Sequence, residues 1–223
     1  SLHDALPIFE YFGSHDGWEG GAADRNGSFD VLLNGKVVGR VEWELLGEHN
    51  RMNALAAMLA ARHVGVPLDK GLEALSRFEN VKRRMEVRGV ERGVTVYDDF
   101  AHHPTAIATT VAGLRRKVGT ARILAVIEPR SNTMKLGVMK DQLPQSLQAC
   151  DQVYCYGANL GWDAAEALAP MGTQAEVYED FEAMLKAIVG KAEAGDHILV
   201  MSNGGFQGIH NKLLQALISS QNA

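Results

Sequence analysis

The first regular pattern of apolar and polar positions begins at Ser28. In "SFDVLLNGKVVGRVEWEL" the two classes alternate around Asn34-Gly35, a dipeptide that accepts positive φ at both turn positions and so favours a two-residue hairpin. With a period of two, Val37, Gly39, Val41 and Trp43 are expected on one face, and Val38, Arg40 and Glu42 on the other. The period then lengthens. In "GEHNRMNALAAMLAARHVGVP" Ala and Leu recur at helical spacing. Asn50 is the expected N-cap, Gly65 a C′ stop, and Pro67 forbids continuation. A second helix is expected over Leu68–Phe78. Upstream, Ser14 to Gly27 is dominated by Gly, Asp and Asn and reads as loop.

After "NVKRRMEV" the pattern changes again. Short apolar runs ("GVTVYDD", "RILAVIEP", "DQVYCYG", "AEVYED", "HILVMSN") alternate with amphipathic stretches ("PTAIATTVAGLRRKV", "KDQLPQSLQAC", a short helix near Asp163, "FEAMLKAIVGKA", "GIHNKLLQAL"). Buried strands alternating with helices predict an α/β fold, a mostly parallel sheet with helices on both faces. The shift in composition places a domain boundary near Val87, dividing residues 9–86 from 87–223. Sheets of this kind bind ligands just beyond the carboxyl ends of their strands. Four polar clusters fall there: Asp98 to His103, Glu128 to Lys135, Gly157 to Asn159, and Ser202 to His210.

Composition narrows the partners. The net charge is −5 and no basic block is present, which argues against double-stranded nucleic acid. No apolar run approaches the roughly 20 residues of a membrane helix, so no membrane insertion is expected. Two cysteines, Cys150 and Cys155, match no zinc or redox spacing, and a reducing, cytoplasmic location is expected.

Each chemical motif supports more than one reading. Asn50 and Asn53 lie one turn apart, so their amides can face one ligand and match an adenine edge; equally, Asn50 caps the helix and Asn53 is solvated. Lys82 to Arg84 is either a solvated run or a phosphate-binding cluster. "DDFAHHP" supplies ligand types for a metal, an acid–base pair, or only a strand entering a helix, with Pro104 at the first helical position and Ile107, Val111, Leu114 and Val118 as the buried stripe. "SNGGFQGIH" follows a strand and opens a helix, where Gly204, Gly205 and Gly208 allow close approach of a carboxylate or phosphate; it lacks the GxGxxG dinucleotide pattern and is otherwise a turn. No GxxxxGK[ST] loop occurs in the sequence.

Taken in order, these segments resemble the Mur ligases, ATP-dependent amide-forming enzymes of bacterial cell-wall precursor synthesis. "GEHNRMNALAA" is similar to their G-x-H-N-x-x-N-x-x-A-A helix, "KRRME" to their arginine segment, and "VYDDFAHHPTAI" to their D-[DN]-[YF]-x-H-x-P strand end. "EPRSNTMKLG" and "SNGGFQGIH" look most like the branch that joins the tripeptide L-Ala-γ-D-Glu-meso-diaminopimelate to UDP-N-acetylmuramate in peptidoglycan recycling. The L-alanine-adding branch shares the double histidine but carries a Q-P-H-R-Y-type segment where Glu128 to Asn132 stand here.

The resemblance implies a Rossmann-like C-terminal domain over 87–223, preceded by the C-terminal part of a central ATP-binding domain. It implies ATP and Mg2+ as cofactors, and UDP-N-acetylmuramate and a murein tripeptide as partners. The reaction passes through an acyl phosphate that the peptide amine attacks. Asn50 and Asn53 would meet the adenine, Arg84 the phosphate or ribose region, and Asp99 the ribose hydroxyls. His102 and His103 would line an interdomain cleft as the catalytic candidates. Arg130, Ser131, Asn132, Lys135, Ser202, Asn203 and His210 are the candidates for the tripeptide. The family's P-loop, magnesium ligands, modified lysine and UDP-binding domain belong upstream, so no metal ligand is assigned within the chain, and the polypeptide alone is expected to be inactive. "SLHDALPI" (Ser1 to Ile8) resembles a translated sequencing adapter, which places the start of native sequence near Phe9. Two rival readings remain: a noncatalytic ligand-binding module, and a metal hydrolase using Asp98, Asp99, His102 and His103.

Overall fold

Three antiparallel strands, β1 (Trp18–Gly20), β2 (Phe29–Leu33) and β3 (Lys36–Val41), open the structure, a computed structural model that describes Gly13 and residues 16–79 and 81–220, without the side chains of Thr133 and Lys135. The adapter-like segment lies outside the described residues. The chain divides between residues 80 and 81 into two compact units.

In the first unit the hairpin forms as the Asn-Gly signal predicts, with Asn34 at φ 49° and Gly35 at φ 73°. Val41 and Trp43 share a buried face, but Val37 is 62% exposed. A register shift places Val38 as an extra residue between the Val31–Gly39 and Leu32–Val37 pairs, so the alternation does not carry through to the hairpin tip. β1 falls in the stretch read as loop, its three residues being too few to show a period. Helices α1 (Glu48–His63) and α2 (Leu68–Ser76) follow. The core is built from Trp18, Phe29, Val31, Val41 and Trp43 of the sheet side and Ala54, Leu55, Met58 and Leu59 of α1.

Asn50 is not the N-cap. Gly47, at φ 100°, occupies that position, a conformation open chiefly to glycine, and the helix therefore starts three residues early. The C-terminus follows the sequence: Gly65 N–H bonds Arg62 O and Val66 N–H bonds Ala61 O, the paired bonds of a Schellman ending.

The second unit is a six-stranded sheet of order β4-β5-β9-β6-β7-β8. Its strands are β4 (Glu86–Glu91), β5 (Val94–Asp99), β6 (Ile123–Ile127), β7 (Gln152–Tyr156), β8 (Ala175–Tyr178) and β9 (His197–Met201). All neighbours pair in parallel except the β4–β5 hairpin. That edge strand had no sequence reading; Arg92-Gly93, both at positive φ, is a second tight hairpin tip. Helices α3 (Pro104–Val118), α5 (Leu143–Leu147) and α6 (Ala164–Leu168) cover one face, and α7 (Phe181–Lys191) and α8 (Ile209–Ser219) the other. A short α4 (Asn132–Lys135) follows β6. In β6, Ile123, Ala125 and Ile127 enter one core while Leu124 and Val126 enter the other. Both faces are therefore dry, which is why the strands read as unbroken apolar runs. No helix among the described residues is long and apolar enough to cross a membrane.

Candidate active site

β9 comes last in sequence among the strands yet lies between β5 and β6. The carboxyl ends of these three strands are thereby neighbours, which brings Asp98-Asp99, Ser202-Asn203 and Glu128-Arg130 to one edge.

Successive residues of a strand face opposite sides, and this separates the two aspartates. Asp99 faces α3: its Oδ1 accepts from Ala101 N–H (2.8 Å) and Thr110 Oγ1–H (3.2 Å), and its Oδ2 from Met85 N–H (2.8 Å). Burial raises its pKa, and those three bonds work against the rise. Asp98 faces α8. Its Oδ1 accepts from Arg83 Nε–H at 3.3 Å and lies 3.4 Å from His210 Nε2, while Arg88 Nη1 stands 3.8 Å from Oδ2. Burial alone would push Asp98 up; His210 and Arg83 outweigh it and hold the carboxyl below its ordinary value. His210 is within ion-pair range of Asp98, but its buried Nε2 makes no hydrogen bond.

His103 is the N-cap of α3, its Nδ1 accepting from Ala106 N–H at 3.4 Å, so the neutral ring carries its proton on Nε2. His102 Nδ1 lies 2.8 Å from the Phe100 carbonyl. A carbonyl only accepts, so this Nδ1 is protonated and the neutral ring leaves an Nε2 lone pair. The rings meet edge to face at 5.3 Å, and together offer one donor and one acceptor. Asp98, Asp99, His102 and His103 thus point to different partners. Among the described residues no group of three or more His, Cys, Asp or Glu side chains converges on a metal position.

The loop after β9 is tightly held. Ser202 is 1% exposed; its hydroxyl donates to Glu128 Oε2 (2.6 Å) and accepts from Gly204 N–H (3.0 Å). Asn203 Oδ1 is buried without a partner. Two adjoining clefts share Gly205 and Gly208. The larger, about 500 Å³, is lined by Glu128, Arg130, Tyr156, Asn159 and Phe206 among others. The smaller, about 270 Å³, is lined by Arg83, Arg88, Asp98 and His210. The sequence-predicted peptide residues are therefore not one cluster: Arg130 belongs to the first cleft and His210 to the second. Ser131 caps α4 by accepting from Met134 N–H, and Asn132 is exposed at its start. The Lys135 side chain lies outside the described residues.

Arg84 is exposed, its guanidinium 6.0 Å from the Phe100 ring. In the first unit, Asn50 donates to Leu46 O at 2.8 Å and Asn53 is exposed one turn later. Sequence reasoning placed Arg83 within the Lys82–Arg84 cluster and Glu128 at the head of a polar cluster, but gave neither a role of its own. Glu128 was legible as the first residue beyond a buried strand. Nothing local set Arg83 apart from Lys82 and Arg84.

The family Mur ligase, glutamate ligase domain, matches residues 83–204. The chain belongs to the Mur ligase family. Among relatives, it is 50% identical over 217 residues to the UDP-N-acetylmuramate–L-alanyl-γ-D-glutamyl-meso-2,6-diaminoheptandioate ligase of Escherichia coli, covering 96% of this chain and 48% of that protein. A UDP-N-acetylmuramate–L-alanine ligase of Desulfitobacterium hafniense is 32% identical, over 86% of this chain and 45% of its own. Among solved structures, a murein peptide ligase of Psychrobacter arcticus superposes with TM-score 0.67 at 40% identity, covering 90% of this chain and 44% of that one. The chain spans about half the length of the curated Mur ligases it matches.

Proposed function

We propose that this chain is the C-terminal part of an ATP-dependent ligase that joins L-Ala-γ-D-Glu-meso-diaminopimelate to UDP-N-acetylmuramate in peptidoglycan recycling, in the cytoplasm. The single observation that carries the reading is the 50% identity, across nearly the whole chain, to a relative named for that tripeptide; identity to the L-alanine ligases is lower, 32% in the example above. The larger cleft supports it chemically. Arg130 and Glu128 line one cavity, a cation and a carboxylate together, which suits an end group bearing both a carboxylate and an ammonium, as diaminopimelate does. L-Alanine would leave most of such a cavity empty.

We assign Arg130 to the peptide's carboxylate, with Glu128 opposite its ammonium. Ser202 holds Glu128 in place, while Ser131, Asn132, Lys135, Asn203 and His210 remain candidates for the rest of the peptide. Asn50 and Asn53 are assigned to the adenine, and Arg84 to the phosphate or ribose region. Three of the four acceptor positions of Asp99 are already taken, so a ribose hydroxyl would use the remaining lone pair of Oδ2. His102 and His103 are assigned to proton positioning at the reacting amine through their Nε2 atoms. Among the described residues no three His, Cys, Asp or Glu side chains converge on a metal position, and no step is routed through magnesium. With no P-loop in the sequence, phosphoryl transfer by this chain alone is not expected.

Calorimetric titration of the tripeptide, of its L-lysine analogue and of L-alanine into the chain tests the assignment. The lysine peptide lacks the distal carboxylate and should bind about ten- to a hundredfold more weakly, as expected for one charge-assisted contact. Equal affinity for all three, or preference for L-alanine, would overturn it.

A further inference from the structure

We infer that Arg83 is a positioning residue that couples the nucleotide side of the site to its peptide side. The inference rests on the ligase reading above, and in particular on the roles of Arg84 and Arg130. Its side chain and its main chain serve different ends.

The guanidinium reaches across the strand ends. Nη2 donates to Ser202 O (2.5 Å) and Gly204 O (2.8 Å), and Nε donates to Asp98 Oδ1 (3.3 Å). The ring of Phe100 covers it at 5.2 Å. Three acceptors arranged around one planar fork suit arginine and not lysine, whose ammonium is a single point. Gly204, thus held, lies directly under Arg130: a Cβ built there would fall 1.7 Å from Arg130 Nη1. The height of Gly204 therefore sets where the Arg130 guanidinium can rest over the larger cleft.

The main chain of Arg83 fixes the turn that presents Arg84. Arg83 N–H donates to Glu86 Oε2 (2.9 Å), and Arg83 O accepts from Phe100 N–H (2.8 Å). Arg83 and Met85 both take left-handed φ values, 61° and 51°, conformations that ordinary residues keep only when their surroundings impose them. Met85 is pinned from the other side by Asp99 Oδ2. Arg84 thus stands between two left-handed residues, each tied to the end of β5. A ligand that orders this turn also orders the loop from Ser202 to Gly204, because one side chain belongs to both.

Hydrogen exchange of the 223-residue chain, read at the Gly204 and Gly208 amides, tests this. Arg83→Ala should accelerate exchange at Gly204 about tenfold or more, as the loss of charge-assisted bonds predicts. Millimolar guanidinium should restore protection there, and Arg83→Lys should not. Arg88→Ala, which removes another arginine of the same cleft, should leave the loop unchanged. Where Arg83→Ala fails to fold, Arg83→Lys against Arg83→Gln carries the comparison. Unchanged exchange in the variants, or loss of protection that guanidinium does not recover, overturns the strut. Adding millimolar MgADP then tests the coupling. Protection should rise at residues 82–86 and at Gly204 in the wild type, but only at 82–86 in Arg83→Lys. A rise confined to 82–86 in the wild type overturns the coupling. No rise at either segment refutes the nucleotide role of Arg84, and with it the coupling, whereas guanidinium rescue would still stand as proof of the strut.

Discussion

Gly204→Ala places the sharpest demand on this reading. The new Cβ would lie 1.7 Å from Arg130 Nη1, 2.5 Å from Cζ and 2.8 Å from Cδ, so the two cannot coexist as drawn. What must move is an exposed, flexible side chain and not backbone. Gly204 has no positive φ, and alanine there carries no left-handed penalty; its lower unfolded-state entropy even favours folding slightly. The change in unfolding free energy should therefore stay within about 1 kcal/mol. Peptide binding should suffer far more. Swinging Arg130 off the cleft removes one charge-assisted contact, about 1.5–3 kcal/mol, which is about ten- to a hundredfold in Kd. The assay is calorimetric titration of the tripeptide into wild type, Gly204→Ala, Arg130→Ala and the double variant, with thermal unfolding of each. If the glycine acts only through Arg130, the double variant binds no more weakly than Arg130→Ala. Additive losses, wild-type affinity in Gly204→Ala, or a destabilisation beyond about 2 kcal/mol would each refute the reasoning.

His103→Ala should cost about 1 kcal/mol by removing the cap of α3, while His103→Asn, a strong N-cap, should recover most of it in denaturant titration. The two aspartates should affect acid stability with opposite signs. Asp98 is held below its ordinary value, so its stabilisation is present above the unfolded carboxylate range, near ~3.9, and is lost as pH falls through its native value. Asp99 is raised, so native Asp99 takes its proton first, and its contribution declines as pH rises from the unfolded value through the native one. Melting temperatures across the acid range should therefore fall less steeply in Asp98→Asn than in wild type, and more steeply in Asp99→Asn. Finally, burial pushes the Cys150 and Cys155 thiols up to about 12, so neither should react with a thiol reagent at pH 8 until the chain is unfolded.

The sequence by itself determined most of the regular elements of the larger unit. α3 spans Pro104–Val118, as the proline and the apolar stripe dictate, and from β6 to α8 the strands and helices other than α4 follow their apolar runs. Local periodicity is sufficient there because both sheet faces and one face of every helix must be dry. It also determined the Asn34-Gly35 hairpin and the Gly65 helix stop, where φ alone decides. Elements too short or too one-sided to show a period, β1, β4 and α4, escaped.

Only the tertiary structure decided what the polar residues do. Asn50 lost its cap to Gly47 because a left-handed glycine starts the helix earlier. Asp98 and Asp99 look like a pair in sequence, yet a strand sends them to α8 and α3 respectively. Arg83 meets Ser202 and Gly204 across 119 and 121 residues, and no local pattern encodes such a contact. It exists because β9, last in the chain, inserts between β5 and β6. Strand order is set by how whole faces bury one another, so the residues it brings together are those that sequence periodicity cannot connect.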